Sequence, residues 1–235
     1  MTQHDTPDTL AVLRVSRTKA EAKRFYDRIS RIYGRMTGAF ERKHGEKALD
    51  LLSIREGEIA LEIGTGSGHC FERMVRLVGD RGRCCGIDIS TGMLKMTKHR
   101  LTRSGLLARA ETCCGDAAKL PFRDSSFDAM LMAFTLELLD TPEIPEVLKE
   151  TMRVLKPGGR MAVVSLSKEG KLSPAIRLYE WAHRKWPRYA DCRPIYVEKS
   201  ITGCGYLVSS RRSARMAGLP LETVLAIKPE PKAFH

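Results

Sequence analysis

No apolar run in this sequence is long enough to cross a bilayer as a helix. The most apolar stretch, residues 129–139, is too short and is interrupted by Thr135 and Glu137. The N-terminus has no apolar block of the kind a secretory leader requires, so no export signal is read and a cytoplasmic location is expected. None of the seven cysteines forms a CxxC pair, and no histidine stands at ligand spacing from them, so no zinc or redox-motif spacing is present. Internal repeats and low-complexity segments are also missing. Acidic residues are in short supply, with 28 Asp and Glu against 40 Lys and Arg. Such an excess attracts anionic partners, whether nucleic acid, anionic lipid or an acidic substrate, and says nothing about fold. A generally basic surface explains it equally well.

What is present is a chain of ordinary globular composition, with 235 residues and an apolar fraction of 43%. That length suits one α/β domain with a full core, or a domain with a small cap. We expect a single domain over 1–235, comprising an N-terminal helical cap at 20–53, a cofactor-binding core at 58–168 and a substrate-side segment at 169–235. Residues 1–18 read as a loosely held lead-in. Phe25, Ile29, Ile32, Tyr33 and Met36 recur at helical spacing and predict a helix over 20–36. Its other side carries Arg24, Arg28, Arg31 and Arg35, either a solvated face or a contact with anionic lipid or nucleic acid. A second helix is predicted over 41–52.

From Glu58 onward strand and helix signals alternate. Strands are predicted at 59–63, 84–89, 110–114, 127–134 and 160–166, with helical faces at 71–78, 93–101 and 144–155 and a turn at 156–159. This alternation predicts a Rossmann-like, doubly wound, mostly parallel sheet with helices on both faces and a helical cap at the N-terminus. Beyond Leu166 the pattern weakens. A helix is predicted over 176–183, then a loop-rich stretch, a further helix over 209–217 and a last strand over 221–227. Cys84-Cys85 and Cys113-Cys114 fall in apolar runs that read as buried strands, with the thiols serving as small hydrophobes; a thiol site for a soft metal is the alternative.

The run Glu62-Ile63-Gly64-Thr65-Gly66-Ser67-Gly68 leaves a strand and enters a helix. Glycines there let a ligand approach the main chain, and the following helix presents unpaired N–H groups. A dinucleotide fingerprint would need glycine where His69 stands, so no pyrophosphate cradle is spelled out. Asp88 closes the second strand 24 residues beyond Gly64, close to the spacing at which an acid meets a ribose. Asp116, in Gly115-Asp116-Ala117, closes the third strand and is placed to accept from an adenine amine. A lone Asp after a strand is often only a helix cap. Three successive strand ends bearing a glycine loop and two acids point instead to an adenosyl ligand at the carboxyl edge of a sheet.

These blocks, together with Ile89-Ser90, Met93-Leu94, Leu120-Pro121-Phe122, Ser126-Phe127-Asp128 and residues 153–159, resemble class I S-adenosylmethionine-dependent methyltransferases in content and order over about residues 20–168. Phe25-Tyr26-Asp27-Arg28-Ile29 and the tail at 175–200 are most similar to the ubiquinone/menaquinone-biosynthesis C-methyltransferases. The resemblance implies S-adenosylmethionine as cofactor, with Tyr26 or Tyr33 covering it. It places Gly64, Gly66 and Gly68 at the methionine end, Asp88 at the ribose and Asp116-Ala117 at the adenine, with Glu62, Thr65, Ile89, Met93 and Phe134 as further cofactor-binding residues. The chain departs from that subfamily where substrate is handled. Leu136-Glu137-Leu138 replaces Arg-Asn after the fourth strand, Ser165 replaces Glu after the fifth, and the closing antiparallel strand pair reads as shortened.

A sulfonium is already activated, so alignment of the acceptor is the main task and supplies at most roughly 7–11 kcal/mol. Removal of a proton from a carbon or oxygen acceptor adds to it. Glu137 is the candidate base, with a helix cap or a surface ion pair as its alternative role, and His69 and His183 are weaker candidates. Three functions follow: methyl transfer to a small or lipidic, quinone-like acceptor, with peripheral contact to anionic membrane; methylation of RNA or protein; or nucleotide binding without catalysis. The basic stretches lack interleaved aromatics and no Asn-Pro-Pro-Tyr-type motif follows the fourth strand, which disfavours nucleic acid.

Overall fold

Among the described residues seven strands make one sheet: β1 (Ile59–Ile63), β2 (Arg83–Asp88), β3 (Ala110–Cys114), β4 (Phe127–Ala133), β5 (Leu155–Leu166), β6 (Leu207–Met216) and β7 (Leu219–Ile227). Among the described residues the α-helices that accompany them are α1 (Lys19–Met36), α2 (Gly38–Leu52), α3 (His69–Leu77), α4 (Thr91–Arg103), α5 (Glu143–Val154) and α6 (Val197–Gly203). The computed structural model describes residues 12–15, 17–36, 38–169, 179, 181, 185, 192–216 and 218–231; the side chains of 31, 33–36 and 38–40 are outside that description, as is the helix predicted over 176–183 apart from Tyr179 and Trp181. The strand order is β3-β2-β1-β4-β5-β7-β6, with β1 to β5 parallel and β7 antiparallel to both its neighbours. The chain begins in the middle at β1, runs outward to β3, then returns to the other side of β1 as β4. That reversal opens a crevice above the β1 and β4 tips, where ligands bind in open α/β sheets.

Strand alternation divides the core between two sheet faces. Leu61, Ile63, Ile87, Met130, Met132 and Val163 pack beneath Ile144, Val147 and Leu148 of α5 and Val197 and Ile201 of α6. Ala60, Cys84, Ala129, Leu131 and Val164 pack against Leu49 and Leu52 of α2 and Phe71, Met74 and Val75 of α3. Cys84 is thus buried on one face, while Cys85 is half-buried against the other. Cys113 and Cys114 depart from expectation, because β3 is an edge strand: Cys113 is half-buried and Cys114 exposed. Among the described residues no helix is long and apolar enough to cross a membrane.

Three further expectations are corrected. The described residues 209–216 of the segment read as a helix belong to the edge strand β6, paired with β7 from Leu207↔Ile227 to Met216↔Leu219. Its polar run Ser209-Ser210-Arg211-Arg212-Ser213 carries little periodicity of its own, and the apolar, β-rich sequence of β7 imposes the partner conformation. Gly218, at φ +82°, turns the hairpin instead of stopping a helix. The closing strand pair has ten and nine residues. The turn at 156–159 is present inside β5, as an excursion between Leu155, opposite Phe127, and Arg160, opposite Ala129. The lead-in is not loose over its described part. Asp140 accepts from Arg14 through both Nε (2.8 Å) and Nη2 (2.6 Å) and from Val15 N at 3.0 Å, and Val12 packs against the core.

Candidate cofactor and active site

The turn after β1 is built from three glycines with three different duties. Gly64, at φ +78°, lies where any side chain would collide with Thr135, whose Oγ1 lies 3.1 Å from both Ile63 O and Ala133 O. This contact ties the β1 and β4 tips together. Gly66, at φ +50°, has open space where a Cβ would stand. Gly68, at φ +78°, backs onto α4, where a Cβ would come within 2.9 Å of Thr97 Cα. Thr97 Oγ1 in turn donates to Gly66 O at 3.2 Å. Gly64 shapes the strand exit, Gly66 faces the ligand space, and Gly68 packs the helix.

The acids at the strand ends are engaged with backbone and with α1. Asp88 accepts from Gly66 N at 3.0 Å and Ser90 N at 2.8 Å, so it fixes the loop. Burial raises its pKa despite those two donors. Glu62 is buried, its Oε2 has no hydrogen-bond partner, and burial and the Asp88 charge push its pKa well up. Asp116 accepts from Ala118 N at 2.9 Å and pairs with Lys19 Nζ at 2.5 Å; Lys19 also reaches Glu143 at 3.3 Å. The first turn of α1 therefore closes over the β3 end. Asp27, one turn beyond Lys23, accepts from Ser90 Oγ at 2.7 Å and Gly92 N at 2.8 Å and docks α1 on the start of α4.

Between these elements lies a cavity of about 410 Å³, within the roughly 300–1,000 Å³ of small-molecule sites. Tyr26, Glu62, Gly64, Thr65, Gly66, Asp88, Ile89, Met93, Asp116, Ala117 and Phe134 all line it. Phe134 directly follows β4 at φ +54°, an unusual backbone state for a non-glycine residue, of the kind that clusters at functional sites. Two expected residues are not on the wall. Gly68 serves packing, for the reason given above. Glu137 is fully buried between the turn after β4 and the end of β5, where its Oε1 accepts from Leu166 N at 3.4 Å. The Tyr33 side chain and His183 lie outside the described residues.

His69 does line the cavity, with its ring nitrogen Nε2 2.9 Å from Arg100 Nη2. Burial and Arg100 lower its pKa, which makes it a neutral acceptor from the guanidinium. Sequence reasoning missed Val15, Arg17, Thr18 and Lys19 on the wall. Arg17 lies 5.0 Å and 5.5 Å from the ring centroids of Phe25 and Tyr26. A signal existed in Thr18-x-x-Glu21, a capping box in which Thr18 N donates to Glu21 Oε2 at 2.9 Å and Glu21 N to Thr18 Oγ1 at 3.3 Å.

The residues fit an adenosyl sulfonium amino acid. A buried carboxylate oxygen without a partner, Glu62 Oε2, is matched to an ammonium, and the open face of Gly66 admits a ligand against the main chain. Asp88 and Asp116 stand at the ends of adjoining strands and line the same cavity.

Comparison with known proteins agrees. Residues 60–159 match a family described as "Methyltransferase domain". The chain is 31% identical over 180 residues to the ubiquinone/menaquinone biosynthesis C-methyltransferase UbiE of Pseudomonas entomophila, covering 76% of this chain and 68% of that protein. It is 34% identical over 148 residues to the UbiE of Teredinibacter turnerae, covering 62% and 59%. A solved SAM-dependent methyltransferase from Aquifex aeolicus superposes with a TM-score of 0.59 at 25% identity, covering 78% of this chain and 89% of that one. The [4+2]-cyclase SpnF superposes with a TM-score of 0.76 at 17% identity over 92% of this chain and 98% of that one, a likeness of fold alone. The cofactor is S-adenosylmethionine, and the chain belongs to the class I S-adenosylmethionine-dependent methyltransferases, as a relative of the ubiquinone/menaquinone-biosynthesis C-methyltransferases.

Proposed function

We propose that this enzyme methylates a ring carbon of a hydroxylated, quinol-like acceptor carrying an apolar tail. The observation that supports it most is the identity to UbiE over 180 residues, which extends beyond the methyltransferase domain at 60–159. The wall is compatible, since Tyr26, Phe134, Leu138 and Leu139 give it an apolar side suited to a ring.

When bound, the cofactor supplies a methyl group on a positively charged sulfur. The chain's own residues bind and align. Glu62 would take the ammonium, Asp88 and Asp116-Ala117 the ribose and adenine, and Tyr26 with Lys19 would close the site from α1. Lys19 must release Asp116 Oδ2, or share it, for an adenine amine to be accepted there. Thr135 locks Gly64 against the β4 tip and thereby sets the distance between cofactor and acceptor. Such alignment is the larger part of the rate enhancement for an activated donor.

On its outer face α1 presents exposed Arg24 and Arg28, with Ile32 half exposed. This patch would let the enzyme rest against anionic headgroups while it collects a lipidic acceptor. Labelled S-adenosylmethionine incubated with fractionated cell extract tests the acceptor class. Label in the lipid fraction supports the proposal. Label in RNA or protein, which the excess of base over acid would favour, overturns it.

A further inference from the structure

His69 stands where a dinucleotide fingerprint would need glycine, and it opens α3 on the cavity wall beside Ser67 and Cys70. Its ring is held from behind. Arg100 on α4 reaches His69 Nε2 from Nη2 at 2.9 Å and donates from Nε to Ser67 O at 3.0 Å, and its Nη1 lies 3.5 Å from Glu72 Oε2. A guanidinium only donates, so Nε2 accepts and the ring proton sits on Nδ1. Burial, then Arg100, then Arg42 keep the ring neutral against Glu72 and Glu46. A wall residue is thus left with one N–H donor in a fixed tautomer.

The first turn of α3 adds further donors. Its first helical hydrogen bond runs from Glu72 N to Gly68 O at 2.9 Å. The N–H groups of His69, Cys70 and Phe71 therefore meet no acceptor among the described residues. Helix α2 runs alongside in the same direction. Gly45 packs so closely on Cys70 that a Cβ there would come within 2.5 Å of Sγ. Farther along, Arg73 donates to Glu46 O at 3.0 Å and to Asp50 at 2.5 Å. Arg42, one turn before Gly45, is thereby brought level with the N-terminus of α3. It lines the cavity, and its ion pair with Glu46 is a loose 3.7 Å.

Beside these donors lies the carboxylate that lacks one. Glu62 is 2% exposed, lines the same cavity, and its Oε2 has no hydrogen-bond partner. Its charge is felt at Cys70, whose thiol burial and then Glu62 push upward. An α-amino acid carries ammonium and carboxylate on one carbon. A ligand whose ammonium meets Glu62 therefore lays its carboxylate on the neighbouring wall, and a helix N-terminus favours an anion there.

We propose that this corner reads the carboxylate of the cofactor's amino-acid arm. Arg42, the His69 Nδ1–H and the first turn of α3 are its donors, and Arg100 is the positioning residue that fixes the His69 tautomer. The inference goes beyond the acceptor reading and does not depend on it. Its consequence is selectivity: the site prefers an adenosyl ligand that carries the carboxylate over the same ligand without it.

Calorimetry with two ligands tests this. One is S-adenosylhomocysteine, and the other its decarboxylated analogue, in which a propylamine replaces the amino-acid arm. Wild type should prefer the first by about 10–100-fold, the worth of a charge-assisted hydrogen bond. His69→Phe should weaken S-adenosylhomocysteine about tenfold, and Arg42→Gln, at a half-exposed site, about fivefold. Both should bind the analogue within about twofold of wild type. Arg100→Leu should lose the preference as His69→Phe does. Arg100→Gln, whose amide still donates to Nε2, should recover most of it, and NMR shifts of the His69 ring nitrogens should report Nδ1–H in wild type and Arg100→Gln. If His69→Phe fails to fold, Arg42→Gln decides. Equal affinity of wild type for the two ligands overturns the corner. So do His69→Phe and Arg42→Gln variants that keep the full preference or lose equally on both ligands. An unchanged preference in Arg100→Leu, or a loss that Arg100→Gln does not restore, overturns the role of Arg100.

Discussion

The Asp27 carboxylate accepts from Ser90 Oγ at 2.7 Å while Ser90 Oγ itself accepts from Met93 N at 3.1 Å, so one side chain on the cap completes the N-terminus of a helix in the core. Gly92 N adds a third bond, to Asp27 at 2.8 Å. Ser90 lies two residues past Asp88, which holds Gly66. The cap that carries Tyr26 and Lys19 is thereby fastened to the same strand end that fixes the cofactor loop.

Asp27→Ala should lower stability by about 1 kcal/mol, the usual cost of a lost cap, or roughly 2–4 °C in Tm. S-adenosylhomocysteine should bind several-fold more weakly, because Tyr26 shares the helix. Burial would raise the Asp27 pKa, but the Gly92, Ser90 and Lys23 donors hold it at about 2. Its contribution is therefore present above the ordinary carboxylate pKa of about 3.9 and is lost as pH falls towards 2. Acid denaturation of wild type and variant should converge in that window. Curves that remain parallel through it would exclude the clamp.

Gly66 and Gly68 should fail in different ways. Gly66→Ala meets nothing in the protein but fills ligand space at φ +50°, so Tm should fall by no more than the strain of about 1–2 kcal/mol while cofactor affinity drops more than tenfold. Gly68→Ala drives a methyl into Thr97 of α4, so stability should fall by more than that. Thermal melts and calorimetry on the two variants separate these outcomes. Equal affinity losses with equal Tm would remove the distinction.

Asp88→Asn tests the loop from the other side. The amide keeps one acceptor oxygen where the carboxylate uses two, for Gly66 N and Ser90 N. Losing one charge-assisted bond costs about 1.5–3 kcal/mol, which should appear as a tenfold or greater rise in the S-adenosylhomocysteine Kd. An unchanged Kd would mean that Asp88 serves neither loop nor ligand.

Glu137 also makes a stability prediction. Burial raises its pKa to about 7, so the fold favours the protonated form. The contribution is complete below the unfolded value near 4.3 and is lost as pH rises through 7, up to about 4 kcal/mol. Wild-type Tm should therefore decline from acidic to mildly alkaline pH more steeply than that of Glu137→Gln. Parallel declines would place the titration elsewhere.

The parallel core was legible because each unit carries its own signal. The Ile59–Ile63 run followed by glycines, and the helical faces from Phe71 and Ile144, are local patterns that tertiary packing only confirms. Gly64, Asp88 and Asp116 could be placed because strand ends converge on one edge. The misread parts depend on partners far away in sequence. Ser209 to Met216 is a strand only because β7 lies beside it. Lys19 reaches Asp116 and Arg14 reaches Asp140 across more than ninety residues, and neither pairing leaves a trace in local periodicity. Arg193 gave no signal at all, since a lone arginine in a loop-rich stretch reads as surface until its burial is seen.

A crystal structure of the protein with S-adenosylhomocysteine tests the account most directly. The adenosyl group should lie in the cavity against Gly66, its ribose hydroxyls on Asp88, its adenine by Asp116-Ala117 and its ammonium on Glu62, beneath Tyr26. A nucleoside bound elsewhere, or a cavity left empty at saturating ligand, would contradict it.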